Sequence, residues 1–283
     1  MEFLLILGII VSNTVQSIVK KPYTQKLEGM GMYFFCLISC VSAMLFFIAT
    51  SNGFTWNGGL FLYSFFFALG YAAAAVGMLA AVACGPLSLS SLFLSFSSLI
   101  PTMYGLVFLH DPISKGFIPG VTLLIMSLIL INKKSENSVI SFKWIICITI
   151  TFIGNGMCSV MQKMQQMAFG GAMKNEFMII ALCMVAVLLL VLTIKQERTE
   201  LKRYAKVGGI FALASGATNG IANLLSLVLL STQMPVSLIY PLTSAGGIVL
   251  TYLVSVFIYK EKLTKIQNIG FLIGTVSVIF LSI

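Results

Sequence analysis

The sequence predicts an all-α membrane protein of ten transmembrane helices, arranged as two inverted five-helix repeats. Composition is the first reason. Of the 283 residues, 59% are hydrophobic and only 9% charged, with a mean hydropathy of +1.03, whereas a soluble domain carries about 25% charged residues. The second reason is ten apolar runs, near residues 3–19, 31–50, 59–83, 87–109, 116–132, 143–163, 174–194, 207–230, 236–258 and 266–282. Each is long enough to cross about 30 Å of hydrocarbon as a helix, the form that satisfies its own backbone inside a bilayer. The third is a correspondence between residues 1–132 and 143–283, joined by a polar linker over 133–142. Five helices per half is an odd number, so the second half enters the membrane upside down relative to the first.

The first run starts at Met1-Glu2, with no basic residues ahead of it and no small-residue cleavage site. It is therefore read as a helix and not as a signal peptide. It carries SNTVQSIVKK from Ser12 to Lys21, and the sixth run carries GNGMCSVMQK from Gly154 to Lys163. Asn13, Ser17 and Lys21 correspond to Asn155, Ser159 and Lys163 at one offset of 142 residues. An amide in mid-membrane is costly without a partner, so each asparagine marks a functional-site hypothesis. The third run presents Tyr71 within GYAAAAVG, where alanines let a solute or a neighbouring helix approach.

In the fourth run Ser91, Ser95, Ser98 and Thr102 form one polar stripe. Tyr240, Ser244, Gly247 and Thr251 repeat that spacing 149 residues later, in the ninth. Matching tight connections, Gly85-Pro86-Leu87-Ser88 and Met234-Pro235-Val236-Ser237, precede the two stripes. The turns that follow also match, with Asp111 answering Glu261 and Ser114 answering Thr264; both acids are read as helix-end residues. Thr264 and Gln267 form a capping box for the tenth helix, and Ser114 is expected to cap the fifth. His110, the only histidine, is read as a solvated loop residue. Gly116 with Gly120, Gly216 with Gly220, and Gly270 with Gly274 are close-packing motifs. On the eighth run Ser215, Thr218, Asn219, Asn223 and Ser226 share one polar sector about 140° wide at 100° per residue. Asn219 and Asn223 are neighbours that can bond each other or clamp a ligand.

Other classes find no support. The basic residues behind the net charge of +9 sit between apolar runs, where they set orientation, so no nucleic acid partner is expected. Fourteen of the seventeen Lys and Arg residues fall on the side opposite the N-terminus; only Lys115, Lys163 and Lys174 share its side. By the positive-inside rule both termini lie outside the cytoplasm. The six cysteines lie in or beside apolar runs without metal-ligand spacing and are read as small buried hydrophobes. There is no P-loop, no Ser-His-Asp order and no His/Cys cluster, so neither an enzyme, nor a cofactor, nor a metal site is expected. No Asp or Glu lies in the interior of any of the ten runs, which argues against a membrane-embedded proton-titrating carboxylate.

Ten short helices in two halves, a proline-led connection before helices four and nine, and an acidic turn before a glycine-bearing last helix resemble the EamA-type members of the drug/metabolite transporter superfamily. The resemblance covers nearly the whole chain. It implies a bundle around a central cavity, alternating access, and export or exchange of metabolites, amino acids or xenobiotics. The first helix is also similar to that of the small multidrug resistance transporters, in which a glutamate precedes a lysine by eight residues. Here Asn13 and Asn155 stand at those places, so an amide replaces the carboxylate. The relatives usually keep both termini in the cytoplasm, against the lysine distribution here.

The sequence thus predicts a multi-pass secondary transporter of the cell membrane, most simply a bacterial plasma membrane, working as a monomer or homodimer in the lipid bilayer. Its small-molecule substrate is polar and neutral or zwitterionic. Asn13, Ser17, Asn155, Ser159, Asn219, Asn223, Tyr240 and Ser244 are the predicted binding residues. Interhelical hydrogen bonding is the competing role for each amide, and the favoured one for scattered serines. The functional alternatives are a flippase subunit for a lipid-linked metabolite, a multidrug exporter, and a membrane scaffold whose centre is filled with side chains.

Overall fold

Helices account for all the regular structure among the described residues of the computed structural model, which are 1–27, 30–51, 53–84, 87–131, 141–257 and 264–281. They are α1 (Glu2–Lys26), α2 (Met32–Ala49), α3 (Gly58–Cys84), α4 (Leu87–Phe96), α5 (Leu99–Phe108), α6 (Phe117–Ile131), α7 (Phe142–Ala168), α8 (Lys174–Glu197), α9 (Leu201–Leu230), α10 (Val236–Phe257) and α11 (Lys265–Leu281). Each predicted apolar run is helical. Five stretches are long and apolar enough to cross a membrane: Glu2–Lys20, Met32–Ala49, Gly58–Ala81, Phe142–Ala168 and the continuous Lys174–Leu230, which holds both α8 and α9. The remaining apolar helices are shorter. The chain is an α-helical membrane protein, and large apolar side chains such as Phe3, Ile210 and Leu272 face outward from the bundle.

Two expectations need correction. The fourth apolar run is not one helix with one polar stripe, because it breaks at Ser97 and Ser98 between α4 and α5. Pro101 causes this: it has no N–H for the Ser97 carbonyl, and its ring crowds the carbonyl four residues back. The hydroxyls of Ser98 and Thr102 turn instead to local carbonyls, Ser95 O at 3.0 Å and Ser98 O at 2.8 Å. The second concerns residues 195–206, which the predicted apolar runs leave between the seventh and eighth helices. Only a single 3-10 turn, Arg198–Glu200, separates α8 from α9. The sequence there is rich in Lys, Arg and Glu, with neither Gly nor Pro, and such residues prolong helices.

Helix ends follow sequence chemistry closely. Thr264 N donates to Gln267 Oε1 at 3.0 Å and Gln267 N to Thr264 Oγ1 at 3.3 Å, the reciprocal capping box. Ser114 does not cap α6; its hydroxyl is buried without a partner, while its carbonyl accepts from Phe117 N at 3.1 Å. Asp111 takes the helix-end role, accepting at Oδ2 from Ser237 N, 2.8 Å away, in the first turn of α10. Glu197 does the same for α2, accepting from Tyr33 N at 3.1 Å and Phe34 N at 2.7 Å. His110 is exposed in its loop with a φ of 54°. Most of the polar linker, Gly85-Pro86, the turn around Glu261, and the side chains of Lys21, Cys84, Ser91 and Thr251 lie outside the described residues.

Packing pairs helices across the two halves of the chain. The main contacts are α3 with α7, α1 with α9, α2 with α8 and α9, α3 with α8, α6 with α11, and α10 with α1, α5 and α11. Small residues permit the tightest crossings: a methyl carbon at Gly154 would lie 2.6 Å from Gly70 O, and one at Gly216 2.2 Å from Ser39 O. Between α6 and α11 the bonds are reciprocal. Ser127 Oγ donates to Gly270 O at 2.7 Å, and Ser277 Oγ to Gly120 O at 2.8 Å. Donors and acceptors are each 150 residues apart in the chain. One core cluster, including Phe47, Phe67, Phe177 and Leu182, joins α2, α3 and α8. A second, including Ile9, Leu124, Leu229 and Ile239, joins α1, α6, α9 and α10. Between them lies a cavity.

Candidate functional site

The cavity has a volume of about 520 Å³ and is walled by α1, α2, α3, α7 and α9, with Leu94 of α4 and Tyr240 of α10. Most of its lining follows the sequence offsets, with Leu79 of α3 an exception whose counterpart Leu227 is buried in the core. From α1 come Asn13, Gln16, Ser17 and Lys20; from α7, 142 residues later, come Asn155, Cys158, Ser159 and Gln162. From α3 come Phe67, Tyr71, Ala74, Ala75 and Met78; from α9, 148 residues later, come Ser215, Asn219, Ala222, Asn223 and Ser226. The pattern breaks at one end. Phe35, Cys36 and Ser39 of α2 line the cavity, but their counterparts at offset 142, Phe177, Met178 and Ala181, are fully buried in the core.

Seven of the eight predicted residues meet here: Asn13, Ser17, Asn155, Ser159, Asn219, Asn223 and Tyr240. Ser244 is half-buried outside the lining; one turn along α10 from Tyr240 carries it roughly 6 Å further down the helix axis. Thr218 also lies outside, its hydroxyl bonded to Ala214 O at 3.0 Å and Ser215 O at 2.9 Å. Gln16, Lys20, Cys36 and Ser39 join the lining without having been singled out in the sequence. Gln16 and Lys20 were detectable, since they answer Cys158 and Gln162 at the offset already in hand. Ser97, the partner of Asn155, gave no such signal, because only the break in the fourth run turns it toward α7.

The amides are partly tied to the protein. Asn155 Nδ2 donates to Ser97 Oγ at 2.6 Å. Gln162 Nε2 donates to Asn223 Oδ1 at 2.8 Å, and Asn223 Nδ2 donates to Asn219 Oδ1 at 3.0 Å, a relay from α7 to α9. The Tyr240 hydroxyl donates to Ser159 O at 3.2 Å, and Lys163 Nζ to Leu230 O at 3.0 Å. These bonds stitch α7, α9 and α10 together away from the α2 end of the cavity. Lys20 is the one charged side chain among the described lining residues, and no carboxylate is among them. The site is therefore suited to hydrogen bonding and not to cation capture, since a buried cation needs a compensating charge.

Not every cysteine is a buried hydrophobe. Cys40 and Cys158 are, their thiols turned to Leu182 O at 3.4 Å and Phe67 O at 3.5 Å. Cys158 also borders the cavity with the half-buried Cys36, and Cys183 is exposed. A second hollow of about 380 Å³ lies between α5 and α7, lined by apolar side chains such as Leu99, Met103, Phe152 and Val160 together with Tyr104. It shares α7 with the main cavity, which Asn155 and Ser159 face.

No protein-family model matches the sequence, and no curated protein does. Among solved structures, a chain described only as "Crystal structure of protein" aligns over 99% of this chain and 95% of its own, with a TM-score of 0.78 at 11% identity. At that identity the likeness is one of fold.

Proposed function

We propose that this protein is a secondary transporter, an exporter or exchanger, that moves a small polar, neutral or zwitterionic solute through the central cavity by alternating access. On this reading it crosses the membrane ten times as two inverted five-helix repeats, like the EamA-type drug/metabolite transporters it resembles. The observation that carries the proposal is the duplicated lining. Amide and hydroxyl residues chosen from the sequence converge on one cavity, at positions repeated 142 and 148 residues apart. Sites at the interface of two repeats are characteristic of such transporters. The volume lies in the range of small-molecule pockets, which speaks against a scaffold with a filled centre.

The test is Asn155→Leu. A thermal-shift panel of metabolites first identifies a binder, because a ligand of the folded state raises its apparent stability. The variant should then insert and purify like wild type yet fail to move that solute into proteoliposomes; unimpaired uptake would sink the assignment. The lysine distribution supports termini outside the cytoplasm. A cysteine placed at Lys202, exposed at the start of α9, should then be shielded from an impermeant maleimide on intact cells, and ready labelling there reverses the orientation.

A second reading has one observation in its favour. The apolar hollow between α5 and α7 adjoins the polar cavity across a single helix, as a flippase for a lipid-linked metabolite would need. Binding of an alkyl-linked solute but not of its free head group would select it.

A further inference from the structure

Equivalent positions of the two halves carry unlike chemistry, and the difference describes the solute. Where α9 offers Asn219 and Asn223, α3 offers Tyr71 and Ala75. The Tyr71 ring is stacked on Phe67, with centroids 6.1 Å apart and planes 29° apart. Phe67 is itself buried, so the Tyr71 ring is backed by core where the residue lines the cavity. Ala74 and Ala75 keep the wall beyond it shallow. A planar ring lying on Tyr71 would meet a flat apolar surface, the offset-stacked arrangement that aromatic groups favour.

The remaining polar groups define the edge of that ring. The side-chain amides of Asn13 and Gln16 make no hydrogen bond within the described protein. Asn155 spends its N–H on Ser97 and keeps its carbonyl oxygen, while Asn219 spends its oxygen on Asn223 and keeps its NH₂. The cavity therefore offers donors and acceptors side by side. An ammonium group only donates and a carboxylate only accepts, so a solute carrying one of them alone would leave half of these groups unanswered, and a zwitterion would set its two charges against uncharged partners. A cyclic amide presents a donor and an acceptor on one rigid edge.

Building on the transporter reading of this cavity, we infer that its solute is a neutral planar cyclic amide carrying hydroxyl groups, a pyrimidine-nucleoside type of molecule. The ring lies on Tyr71, the amide edge meets the asparagine and glutamine side chains, and the hydroxyls meet Ser17, Ser159 and Ser226.

Isothermal titration of the purified full-length protein with uridine, 3-methyluridine, ribose and phenylalanine tests this. Uridine should bind. Ribose, lacking the ring, and phenylalanine, lacking the amide edge, should bind at least tenfold more weakly. So should 3-methyluridine, which keeps the ring but has lost its ring N–H donor. Tyr71→Phe should retain uridine binding and Tyr71→Ala should lose at least tenfold. Equal affinity for uridine and 3-methyluridine overturns the inference on the wild-type protein alone, whatever the Tyr71 variants do. Binding and transport of ribose or phenylalanine without uridine overturns the solute class and leaves the transporter standing. Failure of every solute in the wider metabolite panel to bind removes both.

Discussion

Alanine at position 154 tests the packing that holds one long wall of the cavity. Gly154 lies on α7 where it crosses α3, one residue before Asn155. The added methyl carbon would stand 2.6 Å from Gly70 O and 2.9 Å from Ala74 N. Both are backbone atoms, so no change of rotamer relieves the clash. Carbon and oxygen in contact sit roughly 3.3 Å apart, so the helices must part by about 0.7 Å. A gap of that size forfeits roughly a quarter to a half of each dispersion contact it opens. Overpacking of this kind costs about 1–3 kcal/mol, roughly 2–12 °C in Tm for a chain of this size. The assay is thermal unfolding in one detergent, with Gly209→Ala as control. A methyl group at Gly209, also within a helix, meets nothing within 4 Å, and alanine there gains up to about 1 kcal/mol of helix propensity. Gly154→Ala should unfold several degrees below wild type and the control at or above it. Equal Tm values for the two variants would refute the close α3–α7 crossing.

Two further outcomes follow from the helix ends and from the α6–α11 contact. Asp111→Ala should lower stability by about 0.5–2 kcal/mol through loss of the cap on α10, with solute affinity in titrations unchanged; a loss confined to affinity would give Asp111 a binding role instead. Ser127→Ala and Ser277→Ala remove equivalent interhelical bonds and should each cost about 0.6 kcal/mol. Denaturation midpoints differing widely between these two variants would show that the two contacts are not equivalent.

What the sequence made legible was local and repeated. The apolar runs became helices because no other backbone satisfies itself in hydrocarbon, and Thr264 with Gln267 formed their box because the motif closes within four residues. Asn13 and Asn155 were visible because a polar group in an apolar run is a conspicuous expense, and a fixed offset multiplied the signal. The cavity's apolar members were harder to see. Phe67 and Met78 look like ordinary membrane residues, and only the α3–α7 crossing turns them inward. Ser114 failed as a cap and Ser97 succeeded as a partner for the same reason. A hydroxyl's role depends on which carbonyl or amide the fold brings near, and its own neighbours in sequence do not encode that.

Which of the corresponding residues border the cavity was beyond reach for a deeper reason. Phe35, Cys36 and Ser39 border the cavity, while Phe177, Met178 and Ala181, at the same offset that relates the asparagines, are sealed in the core. On the inverted-repeat reading, both environments are open to both sets, and a single conformation must choose one. Among the described residues, three bonds cross between α7, α9 and α10 here: Gln162 to Asn223, Tyr240 to Ser159 O, and Lys163 to Leu230 O. Interhelical hydrogen bonds in membranes are worth only about 0.6 kcal/mol on average, so three of them amount to roughly 2 kcal/mol. On the transporter reading that is the scale required, because a gap of a few kcal/mol leaves the alternative conformation populated enough for a solute to select it. A centre built of carboxylates and lysines would lock one end shut far more firmly. The amides at Gln162 and Asn223 therefore fit the proposed mechanism in a second way: they hold a polar cavity together with a bond weak enough to exchange.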